Sequence, residues 1–568
     1  MRNRWLWVWI FAILGLVMLV CGLLVPMHLR AVDASVIQKA GRNGPALLEQ
    51  GQVLAGGKKL GAALMLAQAA DAAGIPGWDR LGAAVTNLGR QYPDALVWGD
   101  DSRLEKLFAS NPQPAEGGVE PFMDFIIRQD NRELALAYLR SSPSPAVQEL
   151  LHSRELTKTV LFPPSSSPSG QAFDAAVSEC GLLLDGGHLP AGLSGGIYVL
   201  ASAANRGSGS APLEQALMDF MSLGQRFNWD QLVAFVAQIP DTGTLHQLAD
   251  DARNAGGQLP VLFAAVQLTG KPADVARYAA DFRQTGLKDI AASLRYGAGG
   301  VGELLQRGQR FYSPGLERQV TAVDPFGSFY YFAAGFSFQK PWLALAAKWL
   351  SYLFGGFFLA TALHFLRPAV SVLEQPLQVR GFHLFREFLF SLGFLLMVLL
   401  LSEPFLAQES QKGDFSLRPH LPTVGSVVPA GIANIKQNVM NPTILLTLLL
   451  FFVLQALIYL ACIVKLAEIR RQAVPPRMKL KLLENEDHLF DAGLYLGFVG
   501  TIVSLIVASM GLVKFSLMAA YSSTSFGIIF VCVFKIFHLR PARRKLLLEA
   551  DAAEAYAAAG TPTSVLPS

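Results

Sequence analysis

The residues of this chain best suited to chemistry are hydroxyls and glycines set in apolar surroundings. In the run 492–513, Gly493, Gly497, Thr501, Ser504, Ala508 and Gly511 recur at three- and four-residue spacing, with Gly500 alongside. That spacing makes one face of a helix almost free of bulk. In the following run, Ser522, Ser523, Thr524 and Ser525 are four consecutive hydroxyls, and Gly527 follows them. Small faces let helix backbones approach closely in lipid, and a hydroxyl can bond the carbonyl one turn back. Packing alone accounts for that much. The functional reading is that Thr501 and Ser504 face Thr524 and Ser525. Together they would line a polar seam able to hold water, pass an ion or contact a charged partner helix. Gly493, Gly497, Gly500 and Gly527 would then be the close-packing positions beside it.

Two further motifs suggest covalent or cofactor chemistry. Gly192–Gly196 (GLSGG) matches the nucleophile-elbow pattern G-x-S-x-G around Ser194. An elbow needs a strand before it and a helix after it, whereas the preceding GGHLPA reads as a loop. Gly297–Gly302 (GAGGVG) matches G-x-G-x-x-G, yet Lys288–Tyr296 before it reads as helix, so a helix end and a turn explain it better. There is no H-E-x-x-H, paired-cysteine zinc spacing or P-loop. No catalytic residue, cofactor or metal is expected, and the reading is not an enzyme.

The elements that must position the hydroxyls follow from composition. Of 568 residues 52% are hydrophobic and only 16% charged, with a net charge of +4 and a mean hydropathy of +0.36. Ordinary globular chains are about 25% charged, so disorder is excluded and a membrane protein is indicated. The basic residues flank apolar runs and form no stripe, which argues against nucleic acid as a partner. Six runs approach the length of about 20 residues needed to cross a bilayer: Trp5–Val25, Trp342–Leu366, Leu384–Ser402, Thr443–Val464, Ala492–Val513 and Phe515–Phe534. The third is the weakest, because Arg386 and Glu387 shorten it, and a re-entrant segment is the alternative there.

Basic residues concentrate in 367–386, 465–490 and after 535, while the alternate loops hold only Lys412, Arg418, Lys436 and Lys514. The positive-inside rule then puts both termini in the cytoplasm and residues 30–340 outside it. The expected organisation is all-α: a polytopic helical membrane protein with a large extracytoplasmic, solenoid-like helical domain. Its parts are an anchor at 1–29, the domain at 30–340 with a division near 162–170, a hairpin at 341–406, a loop at 407–442, a three-span module at 443–545 and a tail at 546–568. Within the domain, short helices alternate with punctuators such as Pro240–Gly243, Gly256–Gly257 and Gly270–Pro272. Cys180 is the lone cysteine there, so packing must hold the domain together. Phe326–Phe338, with Tyr330, Tyr331 and Phe332, would suit a collar at the membrane interface.

The segment Leu496–Gly497–Phe498–Val499–Gly500–Thr501–Ile502–Val503 resembles the GLLGT-V motif of the TolQ/ExbB/MotA proton-channel family. Ala519–Ala520 with Thr524–Ile528 resembles that family's next helix, and spans four to six share its topology. The resemblance covers about residues 443–545. It implies that Thr501 and Thr524 match pore-facing threonines beside an aspartate carried by a single-span partner resembling TolR, ExbD or MotB. It also implies a homo-oligomeric ring in a bacterial inner membrane, driven by the proton gradient. The family's long cytoplasmic segment is brief here, at Lys465–Phe490, and the last two spans contain no Asp or Glu, so either a partner brings the acid or this is a relative that no longer conducts. The leading expectation is an energiser subunit whose exported domain engages an envelope protein. A non-conducting scaffold is the alternative, and a membrane-anchored hydrolase using Ser194 is the weaker one.

Overall fold

The computed structural model describes residues 2–111, 120–313, 322–366, 382–405, 442–509 and 517–559. It is 78% helix and 1% strand, and it divides into two compact units, Ala31–Gly315 and residues 1–30 with 316–568.

The Ala31–Gly315 unit is built from short helices whose ends are written locally. Asn228 accepts from the Gln231 backbone N–H while the Gln231 side chain accepts from the Asn228 N–H, a reciprocal cap that starts the Trp229–Val236 helix. Asp241 caps Thr242–Ala255 through Thr244 N–H at 2.8 Å. Gly270, at φ +58°, closes Leu259–Thr269, and Pro272 opens Pro272–Asp281. Around the expected stops, helices Ala211–Gly224, Trp229–Val236, Thr242–Ala255, Leu259–Thr269, Pro272–Asp281 and Gly286–Leu294 follow one another. Helices Gln129–Arg140, Gln171–Asp185, Ala211–Gly224, Thr242–Ala255 and Pro272–Asp281 pack each on the next. Leu60–Ala72 folds back against Trp229–Val236 and Leu259–Thr269, so packing is not confined to neighbours in sequence.

Trp229, Phe220, Phe227, Phe235 and Phe263 are fully buried at the centre, with Cys180 also buried and free. Phe162–Gly170 is no slack tether. The backbone N–H groups of Val160, Leu161 and Phe162 all donate to the buried Glu214 carboxylate, and Phe162 packs on Phe173. One feature was not foreseen. Ala31–Asp33 (β1) pairs in parallel with Arg310–Tyr312 (β2), with Val32 opposite Phe311. Three residues are too few to carry an alternating pattern.

Among the described residues of the second unit, the long apolar helices are α1 (Arg2–Leu23), α2 (Pro341–Leu366), α3 (Phe382–Ser402), α4 (Pro442–Arg471), α5 (Ala492–Ser509) and α6 (Leu517–Phe534). Among the described residues four segments are long and apolar enough to cross a membrane: Trp5–Leu23, Pro341–Leu366, Leu448–Arg471 and Tyr521–Ala553. α3 and α5 fall outside that set. The segments 367–381, 406–441, 510–516 and 560–568 lie outside the described residues, and with them the expected loop 407–442 and the span end at Val513.

α1 packs on α2, α2 on α3, α3 on α4, α4 on α6 and α6 on α5. At the α1–α2 crossing a Cβ on Gly355 would sit 3.2 Å from the Gly15 carbonyl oxygen, so the two backbones touch there. Phe326–Gln339, the expected collar, is a helix packed on α2; Tyr330 is buried, while Tyr331 and Phe332 are exposed. α4 runs to Arg471, past the expected end at Val464. At about 1.5 Å per residue it outreaches a hydrocarbon core of about 30 Å. Its extension packs with Pro476–Asn485 and Arg540–Ala559 around Leu466, Ile469, Leu483, Phe534 and Leu546. Lys535–Asp491 at 2.7 Å and Arg543–Asp487 at 3.0 Å tie this bundle's surface.

Candidate functional site

The α5–α6 crossing is set by glycine. A Cβ on Gly497 would lie 2.8 Å from the Ser523 carbonyl oxygen and 3.2 Å from the Thr524 Cα, so the helices meet backbone to backbone. One turn further along α5, Thr501 Oγ1 comes within 2.6 Å of Thr524 Oγ1. Both hydroxyls also reach the Gly497 carbonyl oxygen, at 3.1 Å and 3.2 Å. With one proton on each oxygen, one hydroxyl can donate to Gly497 while the other donates to its neighbour. Neither group titrates near neutral pH, so the pair can hydrogen-bond but cannot store a proton.

The four candidate hydroxyls are treated unequally. Thr501 is 7% exposed and meets Thr524. Ser525 is exposed and donates to the Tyr521 carbonyl at 3.0 Å, so it is not brought to the seam. The reason is helical rotation: at about 100° per residue Ser523 and Thr524 straddle the line of approach to α5, and Ser525 falls beyond Thr524, about 200° from Ser523. Ser504 lies on α5, but its side chain is outside the described residues. The buried Ser523, set against Gly500, takes a place that the sequence reading gave to Ser525. Gly493 and Gly527 form a second crossing, where a Cβ on Gly527 would lie 2.7 Å from the Gly493 carbonyl oxygen.

Two features escaped the sequence reading. Gln455, the one amide in an otherwise apolar run of α4, is 1% exposed and donates through Nε2 to the Gly493 carbonyl at 3.0 Å. It joins α4 to the crossing of the other two helices. Elsewhere in the unit, Lys348 in α2 is 1% exposed and donates to the Met27 carbonyl at 2.7 Å. Its Nζ lies 3.6 Å from Glu403 Oε1 just past α3, and Glu403 Oε2 accepts from the Leu29 N–H at 2.8 Å. His28 Nδ1 sits 3.7 Å from the same carboxylate. The end of α1, the start of α2 and the end of α3 thus meet on one buried ionic group. The available signal was a lysine inside an apolar run, since charge is admitted to such places only when paired.

The two catalytic-looking motifs have other uses. Ser194 lies inside the helix Ala191–Asn205, half-buried, with its hydroxyl turned to the Ala191 carbonyl at 3.3 Å. No strand precedes it, so the geometry of an elbow is absent. Gly297, at φ +69°, makes a turn into the helix Gly297–Arg307, and Gly299 and Gly300 lie inside that helix against Ala40 and Ile37. The expected helix before them is present as Gly286–Leu294. The glycines serve backbone contact with the Ala34–Asn43 segment.

Titration in the helical domain is also structural. Burial pushes Asp230 up to about 7 although it accepts from the Ala62 N–H at 3.0 Å. Burial opposes ionisation of Asp101 too, but hydrogen bonds from His188 and Arg103 outweigh it and hold that carboxyl well below the usual range. Asp101 also accepts from the Trp229 indole at 3.3 Å, so the group anchors the core. Among the described residues no group of three or more His, Cys, Asp or Glu side chains could hold a metal ion. No family model matches the chain, and no curated protein or solved structure matches it.

Proposed function

We propose that this chain is a six-span inner-membrane subunit of a proton-driven energiser resembling TolQ/ExbB/MotA, with both termini cytoplasmic. Copies of it would ring a single-span partner that supplies an acidic residue, and a solenoid-like domain at 30–340 would engage an envelope protein. The observation that carries the reading is the contact of Thr501 and Thr524, two hydroxyls 2.6 Å apart inside an apolar helix pair. Thr501 and Thr524 are the two positions at which the family resemblance locates its pore threonines. The convergence of α1, α2 and α3 on Lys348 and Glu403 supports α3 as a full crossing, because it requires α2 and α3 to run in opposite directions.

A second reading keeps the chain as a non-conducting scaffold. It is favoured by the way the two hydroxyls bond each other and the Gly497 carbonyl, contacts that a packed helix pair makes without conducting. One experiment separates the two. The chain is purified from its native membrane with whatever it retains, reconstituted, and assayed for collapse of an imposed pH gradient. Thr501→Val with Thr524→Val keeps shape and removes both hydroxyls. A tenfold or greater loss of flux in the double variant is expected. Unchanged flux discards the seam as the pathway, and no flux in the wild type with partners still bound selects the scaffold.

A further inference from the structure

A second polar place lies in the same helix layer, at the junction of α4, α5 and α6. Gln455 Oε1 is buried and makes no hydrogen bond to any described residue, although Nε2 of the same amide is bonded. Leaving such an acceptor dry is unfavourable, because the oxygen loses its hydration and gains nothing in return. Beside it is a cavity lined by Gln455, Tyr459, Cys462, Gly493, Phe530 and Phe534, among others, with room for about one water molecule. Gln455, Tyr459 and Cys462 fall on one face of α4, at four- and three-residue steps. No carboxylate or basic side chain lines the cavity, so an ion would enter without a counter-charge. A neutral donor of water's size fits both the room and the orphaned oxygen. Cys462 Sγ donates to the Leu489 carbonyl at 3.6 Å, which leaves the sulfur as a weak acceptor on the other side. Towards the C-terminal end of α6 the polar stripe continues, because Tyr459 and His538 Nε2 are 2.8 Å apart.

We propose that Gln455 and the α4 face of Tyr459 and Cys462 hold a structural water at the three-helix junction. The water donates to Gln455 Oε1 beside Gly493, between α4, α5 and α6. No ion need pass for this to hold, so it survives or fails apart from the energiser reading.

The test is X-ray hydroxyl-radical footprinting of the full chain in lipid nanodiscs, where buried side chains are oxidised only beside bound water. Cys462 and Phe534, 3% and 1% exposed, are expected to be oxidised in the wild type at rates typical of exposed residues. Gln455→Met keeps length and removes the acceptor, and should lower both rates about fivefold while Cys180 stays unlabelled. Ile458→Phe fills the cavity and should do the same with the amide intact. Protection of Cys462 and Phe534 in the wild type overturns the proposal without any variant. So does labelling that neither substitution changes.

Discussion

Replacing the four crossing glycines of α5 and α6 by alanine, one at a time, is expected to divide them into two pairs. An added Cβ at Gly497 meets the Ser523 carbonyl oxygen at 2.8 Å, and one at Gly527 meets the Gly493 carbonyl oxygen at 2.7 Å. Those obstacles are backbone, so the helices must separate. At Gly500 the nearest atom is Ser523 Oγ at 2.5 Å, and at Gly493 it is Gln455 Oε1 at 2.9 Å. Those are side chains that can turn aside. Overpacking costs about 1–3 kcal/mol, while alanine returns up to about 1 kcal/mol of helix propensity over glycine. Gly497→Ala and Gly527→Ala should therefore destabilise by about 1–2 kcal/mol. Gly493→Ala and Gly500→Ala should stay below about 1 kcal/mol. The assay is detergent-titrated unfolding followed by energy transfer between dyes at residues 481 and 545, both exposed. Equal costs at all four positions, or a larger cost at Gly500 than at Gly497, would refute backbone contact as the determinant of this crossing.

Three other outcomes are expected. Lys348→Met alone leaves Glu403 buried without its cation and should cost about 3–5 kcal/mol, whereas Lys348→Met with Glu403→Leu should recover most of it; thermal unfolding in lipid reads both. In the helical domain, Asp230 is raised to about 7 by burial, so the folded state binds the extra proton between about pH 4 and 7. Domain stability is then greatest at the acid end and falls as pH rises through that window. Asp230→Asn should flatten part of the slope in Trp-fluorescence melts, and Glu179 and Asp251, also raised by burial, maintain the rest. Finally, a Cβ on Gly224 would lie 2.5 Å from Glu179 Oε1. Gly224→Ala should cost about 1–3 kcal/mol, and a double-mutant cycle with Glu179→Ala should show that cost relieved.

The sequence alone determined where helices form and which of them are apolar. Caps such as Asp241, stops such as Gly270 and uninterrupted apolar runs act over a few residues, so they are legible without a fold. It also located Gly497, Thr501 and Thr524, because small and hydroxylated residues stand out against large apolar neighbours. Tertiary structure decided which of those side chains meet. The rotation of α6 admits Ser523 and Thr524 to the seam and turns Ser525 away. It also decided that Gln455 enters the crossing from α4 and that Lys348 finds Glu403 across a gap of 55 residues. Asp230 capping a helix 168 residues earlier is of the same kind. A local signal fixes an element because its hydrogen bonds close within a turn or two. A contact between elements depends on their relative rotation and approach, which no single segment encodes.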